Sequence, residues 1–361
     1  MLQSRSVFDA DFQIRFESGA QMPVSPQRLD YLAAQIQAVH QHLRLLETVV
    51  TSPIGLTTDL QSLRESLPIP EAQRERDRTA FQDLARDRDA GRVGLATRRA
   101  LAETLALVRL LTPADAEAGV SMDWQGRALK ILERVDARLG AEVRQAKARG
   151  LVGLYVIVDP EQTNGRSPID VAGAALEGGA IAIQLRDKKS DKGAQSRMAS
   201  AIARLCNDRK ALFFVNDHAD IARICGADGV HVGQTDLPVA GARQVLRADQ
   251  LVGTSNALFE EAIASESQSA DYIAVGRMYE TESKSNTRPA GVETLRKVKA
   301  SVGVPVLAIG GINESNLAPV VKAGADAICV IGAVCRAPDP AAAARRLTGL
   351  IEAARQGQGS G

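Results

Sequence analysis

The stretch Ile169 to Lys188, IDVAGAALEGGAIAIQLRDK, contains one whole repeating unit of the chain. Ile169 to Leu176 carries apolar residues at helical spacing and is stopped by Gly178-Gly179. Ala180 to Leu185 then reads as a short strand, with Ile181, Ile183 and Leu185 alternating with smaller or polar residues. No turn signal separates it from Arg186 and Lys188. Continued alternation would make Gln184, Arg186 and Lys188 project together. Two cations and an amide at a strand's end suit an anion such as phosphate. Taken alone, the same residues are equally a solvated strand terminus.

The unit repeats on both sides. Strands are expected at Leu154 to Val158, Leu212 to Val215, Gly229 to Val232, Leu251 to Gly253, Tyr272 to Val275, Val304 to Ile309 and Ala327 to Ile331. Helical patterns follow at Arg197 to Asn207, Ala219 to Cys225, Glu260 to Glu266 and Leu317 to Ala323. The strand cores are almost wholly apolar, as in parallel strands buried on both faces. About eight strand–helix units in roughly 200 residues predict an α/β fold, a closed (β/α)8 TIM barrel over residues 151–355. A doubly wound open sheet competes, but it opens with a Gly-rich phosphate turn after its first strand. Asp159-Pro160-Glu161-Gln162 is no such turn.

Residues 1–150 have a different grammar. Gln27 to Val50, Arg98 to Leu111 and Asp123 to Ala148 are helical in spacing, and glycine is scarce. Turns are expected at Leu67-Pro68-Ile69-Pro70, ahead of a charged helix at Gln73 to Arg78, and at Thr112 to Asp115. The similar segments His42 to Glu47 and Ala128 to Glu133 suggest two helices facing each other in a small all-α helical domain ahead of the barrel. Residues 356–361 read as a flexible tail. With 45% hydrophobic and 24% charged residues and a net charge of +1, the chain fits a globular protein without general attraction to nucleic acid or membrane surfaces. No apolar run would span a bilayer, and Met1 to Met22 is too charged for a secretory signal. Cys206, Cys225, Cys329 and Cys335 lack metal-knuckle spacing and read as reduced thiols of a cytoplasmic protein.

In a barrel the chemistry sits at the C-terminal strand ends. Those positions hold Gln184, Arg186 and Lys188; Asn216-Asp217-His218; Gly233-Gln234-Thr235-Asp236; Ser255; Thr281-Glu282-Ser283-Lys284; Gly310-Gly311; and Gly332-Ala333. Singly, Asp217 and Asp236 read first as helix caps. As a pair from neighbouring strands they either repel or share a hard cation. With Arg186, Lys188 and Lys284 near, Mg2+ plus a diphosphate satisfies both sets of charge. The Gly310-Gly311 and Gly332 amides could cradle a second phosphate, although Gly-Gly is also a common turn. His231, within an apolar strand, reads as a packed core residue. No nucleophile–base pair emerges from the sequence, which suits chemistry driven by departure of a stabilised anion.

From about Gly153 to Ala354 the chain resembles the thiamine-phosphate synthase family. QLRDK, FVNDHADIA, GADGVHVGQTDLP, DYIAVG, TESK and VLAIGGIN occur in that family's order and spacing. The resemblance implies a Mg2+-dependent transferase that joins hydroxymethylpyrimidine diphosphate to hydroxyethylthiazole phosphate. Diphosphate leaves, a pyrimidine methylene cation forms, and the thiazole nitrogen captures it. By the same likeness Gln184, Arg186, Lys188, Asn216 and Lys284 would hold the pyrimidine diphosphate, and Asp217 and Asp236 the metal. Ser255 would stand beside the reacting centre, while Thr281, Ser283, Gly311, Ile331 and Gly332 would contact the thiazole phosphate.

Five positions depart from the family pattern: Ser283 for threonine, Gly332 for serine, Asn256-Ala257 for Thr-His, and Arg277 for proline. None removes an expected metal ligand or principal cation. Leu32 to Glu47 and Trp124 to Glu133 resemble a helical domain that precedes this barrel in some bacteria and is linked with pyrimidine monophosphate kinase activity. Ala33, Gln35, Gln37 and Ala38 replace its characteristic polar residues, so a packing or homo-oligomer-forming role is expected instead. Two rival readings are a thiazole tautomerase, which would want a histidine near Ala257, and a non-catalytic phosphate-binding scaffold.

Overall fold

Apolar residues at helical spacing build α1 (Pro26–Val49), α2 (Thr57–Glu65), α3 (Ala90–Leu110) and α4 (Met122–Arg149). The computed structural model describes residues 26–49, 56–69, 90–112, 120–280 and 288–357. The expectations for Met1 to Met22, Gln73 to Arg78, Pro113 to Asp115 and residues 358–361 fall outside these, as do Thr281, Ser283 and Lys284.

The chain divides into two units, Met1–Glu133 and Arg134–Gly361. In the first, Leu43 and Leu46 of α1, Leu60 of α2, Leu101 and Val108 of α3 and Leu132 of α4 are fully buried. Arg64 bridges to Glu47 at 3.0 Å, and Gln125 Nε2 donates to the carbonyls of Val108 and Leu111, closing the end of α3. The look-alike segments do not pair. Helix α1 packs chiefly on α3 and α2, because the apolar stripe of α3 faces it.

The second unit holds β1 (Gly153–Val158), β2 (Ala180–Leu185), β3 (Leu212–Asn216), β4 (Gly229–Val232), β5 (Leu251–Asn256), β6 (Tyr272–Gly276), β7 (Val306–Ile309) and β8 (Ala327–Val330). They form a closed barrel in sequence order, and β8 returns to pair with β1 in parallel. The principal helices outside it are α5 (Pro168–Glu177), α6 (Lys192–Asp208), α7 (Ala219–Cys225), α8 (Val239–Val245), α9 (Phe259–Ser267), α10 (Gly291–Ser301), α11 (Leu317–Lys322), α12 (Gly332–Cys335) and α13 (Pro340–Gln356). Among the boundaries that differ from expectation, three do so for clear local reasons. Asp191 caps α6 through the Ala194 amide at 2.8 Å, so that helix starts before Arg197. Pro305 has no N–H to enter a ladder, so β7 starts after it. β5 extends to Asn256, which places Ser255 inside the strand opposite Ala274.

One apolar layer lies between strands and helices, and a second fills the barrel, including Tyr155, Phe214, Tyr272 and Leu307. At the closed end an Ala-Asp pair precedes β4, β6 and β8. Asp228, Asp271 and Asp326 accept the amides of Phe213, Val252 and Val306, tying each even strand to the start of its odd neighbour. Lys147, Arg144 and Lys299 balance these three carboxylates at 2.8, 3.1 and 2.6 Å. The other end of the barrel is left free for chemistry.

Candidate active site

Strand β2 stops at Leu185, and strand alternation no longer governs the residues beyond it. Gln184, Arg186 and Lys188 therefore fan out rather than project together. Gln184 turns into the barrel, 2% exposed, and donates to the Tyr155 hydroxyl at 2.9 Å. Arg186 donates its amide to the Val158 carbonyl at 2.9 Å, and its guanidinium pairs with Asp159 at the end of β1. Lys188 reaches across to Asp217, Nζ to Oδ2 3.1 Å. The Asp187 carboxylate accepts the Lys189 and Ser190 amides, fixing the turn between these two cations.

Neither Asp217 nor Asp236 is a helix cap; His218 and Pro238 occupy the N-cap positions of α7 and α8, with no side-chain cap bond. Asp217 has φ +63°, a left-handed turn that aspartate tolerates better than most residues. Its amide donates to the His231 carbonyl at 2.8 Å, which binds the end of β3 to β4. Asp236 curls back to accept the Gly233 amide at 2.7 Å. The two carboxyl groups lie within hydrogen-bond reach of each other. Burial, then the Asp236 carboxyl, raise Asp217 above the usual carboxylate range, with Lys188 pulling the other way. Burial would raise Asp236 too, but the Gly233 amide, Asp217 and Lys188 outweigh it and hold it below. Two carboxylates so placed compete for one proton or share one cation. Among the described residues no group of three or more His, Cys, Asp or Glu side chains converges. The described residues thus offer a pair.

Beside these groups opens a cavity of about 350 Å³, lined by Ser255, Asn256, Arg277, Gly310, Gly311, Ile331, Gly332 and Arg336 among others. Gly310 (φ +103°) and Gly311 (φ +67°) are glycines of necessity, since a Cβ would lie 2.5 Å from Arg277 Cβ and from the Glu280 carbonyl. Gly332 is different: a Cβ there would meet nothing nearer than Arg336 Cδ at 3.6 Å. A serine would fit, and Arg336 lies over the space it leaves. Asn256 is tied to Thr254, Ser265 and Gln234, which gives this departure a structural role. The side chain of Arg277 has no partner among the described residues.

The structure therefore gathers Gln184, Arg186, Lys188, Asn216, Asp217 and Asp236 on the β2–β4 side. Ser255, Gly311, Ile331 and Gly332 share the adjoining cavity. Sequence reasoning missed Asp159, which obeys the same strand-end rule just after β1. It also missed Tyr155, Tyr272 and Arg336. It took His231 for core; that residue is buried at 7%, yet both ring nitrogens meet polar partners, Tyr272 Oη at 3.1 Å and Ser255 Oγ at 2.8 Å. The sequence alone shows no nucleophile–base pair, and the structure does bring a histidine and a serine together. Strands β4 and β5 pair with His231 opposite Gly253, two residues before Ser255, and only that register brings the side chains together.

A family model described as thiamine monophosphate synthase matches residues 154–334. The thiamine-phosphate synthase of Chlorobium limicola is 46% identical over 188 residues, covering 52% of this chain and 90% of that protein. That of Moorella thermoacetica is 43% identical over 203 residues, covering 56% and 97%. Among solved structures, a thiamine phosphate pyrophosphorylase from Pyrococcus furiosus superposes with a TM-score of 0.54 at 37% identity, covering 57% of this chain and 98% of that one. Among the described residues no helix is long and apolar enough to cross a membrane.

Proposed function

The chain belongs to the thiamine monophosphate synthase family, and from that premise we propose that its barrel condenses 4-amino-2-methyl-5-hydroxymethylpyrimidine diphosphate with hydroxyethylthiazole phosphate. The products are thiamine phosphate and diphosphate. It is an enzyme of thiamine biosynthesis, a transferase. One observation supports this reading above the rest: the Asp217–Asp236 contact, with Lys188 3.1 Å from Asp217 and the Arg186–Asp159 pair at the adjoining strand ends.

The donor set fits a hard divalent cation. Two carboxyl groups drawn together, one of them raised by burial and by the repulsion of the other, would both ionise once a divalent cation lay between them, and they suit a site for Mg2+. Bound there, Mg2+ would neutralise charge on the departing diphosphate. Arg186 and Lys188 donate to the same oxygens, and Lys284 joins them by its position in the sequence. Lys188 has a double use. Were Asp217 engaged by a cation, the Lys188 ammonium would be free to pair with the diphosphate. Gln184 and Asn216 orient the pyrimidine end. Cleavage of the C–O bond leaves a methylene cation on the pyrimidine, which the thiazole nitrogen attacks. Gly311, Ile331 and Gly332, with Thr281 and Ser283, would seat the thiazole phosphate, and the cavity walls keep water from the cation. Fixed charge aimed at the leaving group is the main catalytic contribution.

Residues 1–150 are assigned a packing or homo-oligomer-forming role. All four cysteines are free, which supports a reducing, cytoplasmic setting. The test is direct. The purified full chain, supplied with both substrates and Mg2+, should form thiamine phosphate, read by conversion to fluorescent thiochrome phosphate. No product under those conditions refutes the reading.

A further inference from the structure

Five side chains form a continuous hydrogen-bonded line through the barrel interior. Gln184 Nε2 donates to Tyr155 Oη at 2.9 Å, and the Tyr155 and Tyr272 hydroxyls are 3.3 Å apart. Tyr272 Oη lies 3.1 Å from His231 Nδ1, and His231 Nε2 lies 2.8 Å from Ser255 Oγ. The first four residues are buried, while Ser255 is half-buried and opens on the cavity. The line has a built seat. Tyr272 lies over Gly253, where a Cβ would be 1.9 Å from its ring, and stacks on His231 at 5.7 Å.

Counting protons gives the line a direction. Tyr155 Oη accepts from Gln184, and Tyr272 Oη is the acceptor within reach of the Tyr155 proton among the described hydrogen bonds, so that proton goes to Tyr272. Having accepted, Tyr272 gives its proton to His231 Nδ1. That nitrogen must then be bare, and the neutral ring carries its proton on Nε2, aimed at Ser255 Oγ. The serine proton is left for the cavity. An imidazolium would donate from both nitrogens and strand one tyrosine proton in a buried, dry place, which is costly. Burial pushes both tyrosines far above the usual phenol range, so both keep the proton this count requires.

We propose that Tyr155, Tyr272 and His231 are positioning residues: they hold His231 in its Nε2–H tautomer and make Ser255 a hydrogen-bond donor toward the pyrimidine substrate. The serine hydroxyl then presents its proton, and not its lone pairs, to an acceptor atom of that substrate. This role rests on the synthase reading; the tautomer itself does not.

The test therefore has two arms. The full chain is labelled with 15N, and the imidazole nitrogens of its four histidines are observed by NMR, with His231 assigned from its loss in His231→Gln. The expected result at pH 7 is a protonated Nε2 and a bare Nδ1, with Tyr272→Phe mixing the two tautomers. A resting Nδ1–H form, or an imidazolium, overturns the proposal. In the second arm, Tyr272→Phe keeps the ring over Gly253 and should lower kcat about three- to tenfold, the range of one neutral hydrogen bond. KM for the thiazole phosphate should not move. In a Ser255→Ala background the same substitution should cost less than about twofold, because its effect passes through the serine hydroxyl. An equal loss in both backgrounds marks a merely structural tyrosine and overturns the positioning role. Should the wild-type chain make no thiamine phosphate, the synthase reading and this role fall together, while the NMR arm still decides the tautomer.

Discussion

Asp159→Asn isolates what the Arg186–Asp159 pair does at the mouth of the barrel. The side chains of Arg186 and Asp159 are 14% and 4% exposed, and Arg186 Nε is buried without a hydrogen-bond partner. Asparagine can keep the acceptor that Oδ1 now offers to the Glu161 amide at 3.0 Å. Its Nδ2 would then face the guanidinium, donor against donor. Removing one partner of a buried pair costs about 3–5 kcal/mol; the partial exposure of Arg186 argues for the lower end, about 3 kcal/mol. For a unit of this size each kcal/mol is about 2–4 °C, so the barrel transition should fall by about 6–12 °C. Differential scanning calorimetry of the full chain at pH 7 reads this. The same substitution removes a carboxylate beside the anion site and leaves Arg186 seeking a partner. Inorganic diphosphate with Mg2+ should therefore bind the less stable variant several-fold more tightly, measured by isothermal titration. A melting curve within 2 °C of wild type would show that the pair is screened and holds nothing. Weaker diphosphate binding would show that Asp159 aims Arg186 at the anion instead of competing for it.

Three further substitutions probe the rest of the site. Asp217→Asn removes a carboxyl that burial and Asp236 already push toward neutrality, so the metal-free chain should melt no lower than wild type at pH 7. The stabilisation produced by added Mg2+ should disappear with turnover, and a Mg2+-induced shift that survives would exclude Asp217 as a ligand. Gly253→Ala drives a methyl into Tyr272 and should cost about 1–3 kcal/mol of stability, a decrease visible in the urea midpoint; an unchanged midpoint would mean the ring is free to move. Arg336→Ala takes a cation from the cavity wall beside Gly332. A lost charged hydrogen bond is about 1.5–3 kcal/mol, so KM for the thiazole phosphate should rise at least tenfold, while the pyrimidine KM stays put; equal changes in both would refute the placement.

The barrel was readable because its cause is local and repeated. Each unit closes a helix near glycine, runs a short apolar strand, and ends in polar residues, as Gly178-Gly179 to Lys188 does. The closure of β8 on β1 follows from the count of units and the short connections. The helical residues were less readable. His42 to Glu47 and Ala128 to Glu133 share a pattern, but an apolar stripe states only that it must be covered, not by which helix. Here α3 covers α1.

The same distinction runs through the site. Charged groups at strand ends can be read off one strand at a time, which is why Arg186, Lys188, Asp217 and Asp236 were found together. Their pairing follows because β1 to β4 are neighbours in space as well as in sequence. The interior line is another matter. Tyr155, Tyr272 and His231 each sit in an apolar strand, where a buried aromatic residue is ordinarily packing. Their polar atoms acquire meaning only when β1, β4 and β6 face one another across the closed barrel, at heights set by register. Tyr272 lies opposite Gly253, and Ala274 opposite Ser255, so the one glycine that admits the tyrosine ring stands two residues below the serine it serves. A closed barrel can thus carry a polar line across its interior to the edge of a cavity, through strands whose individual sequences show only core.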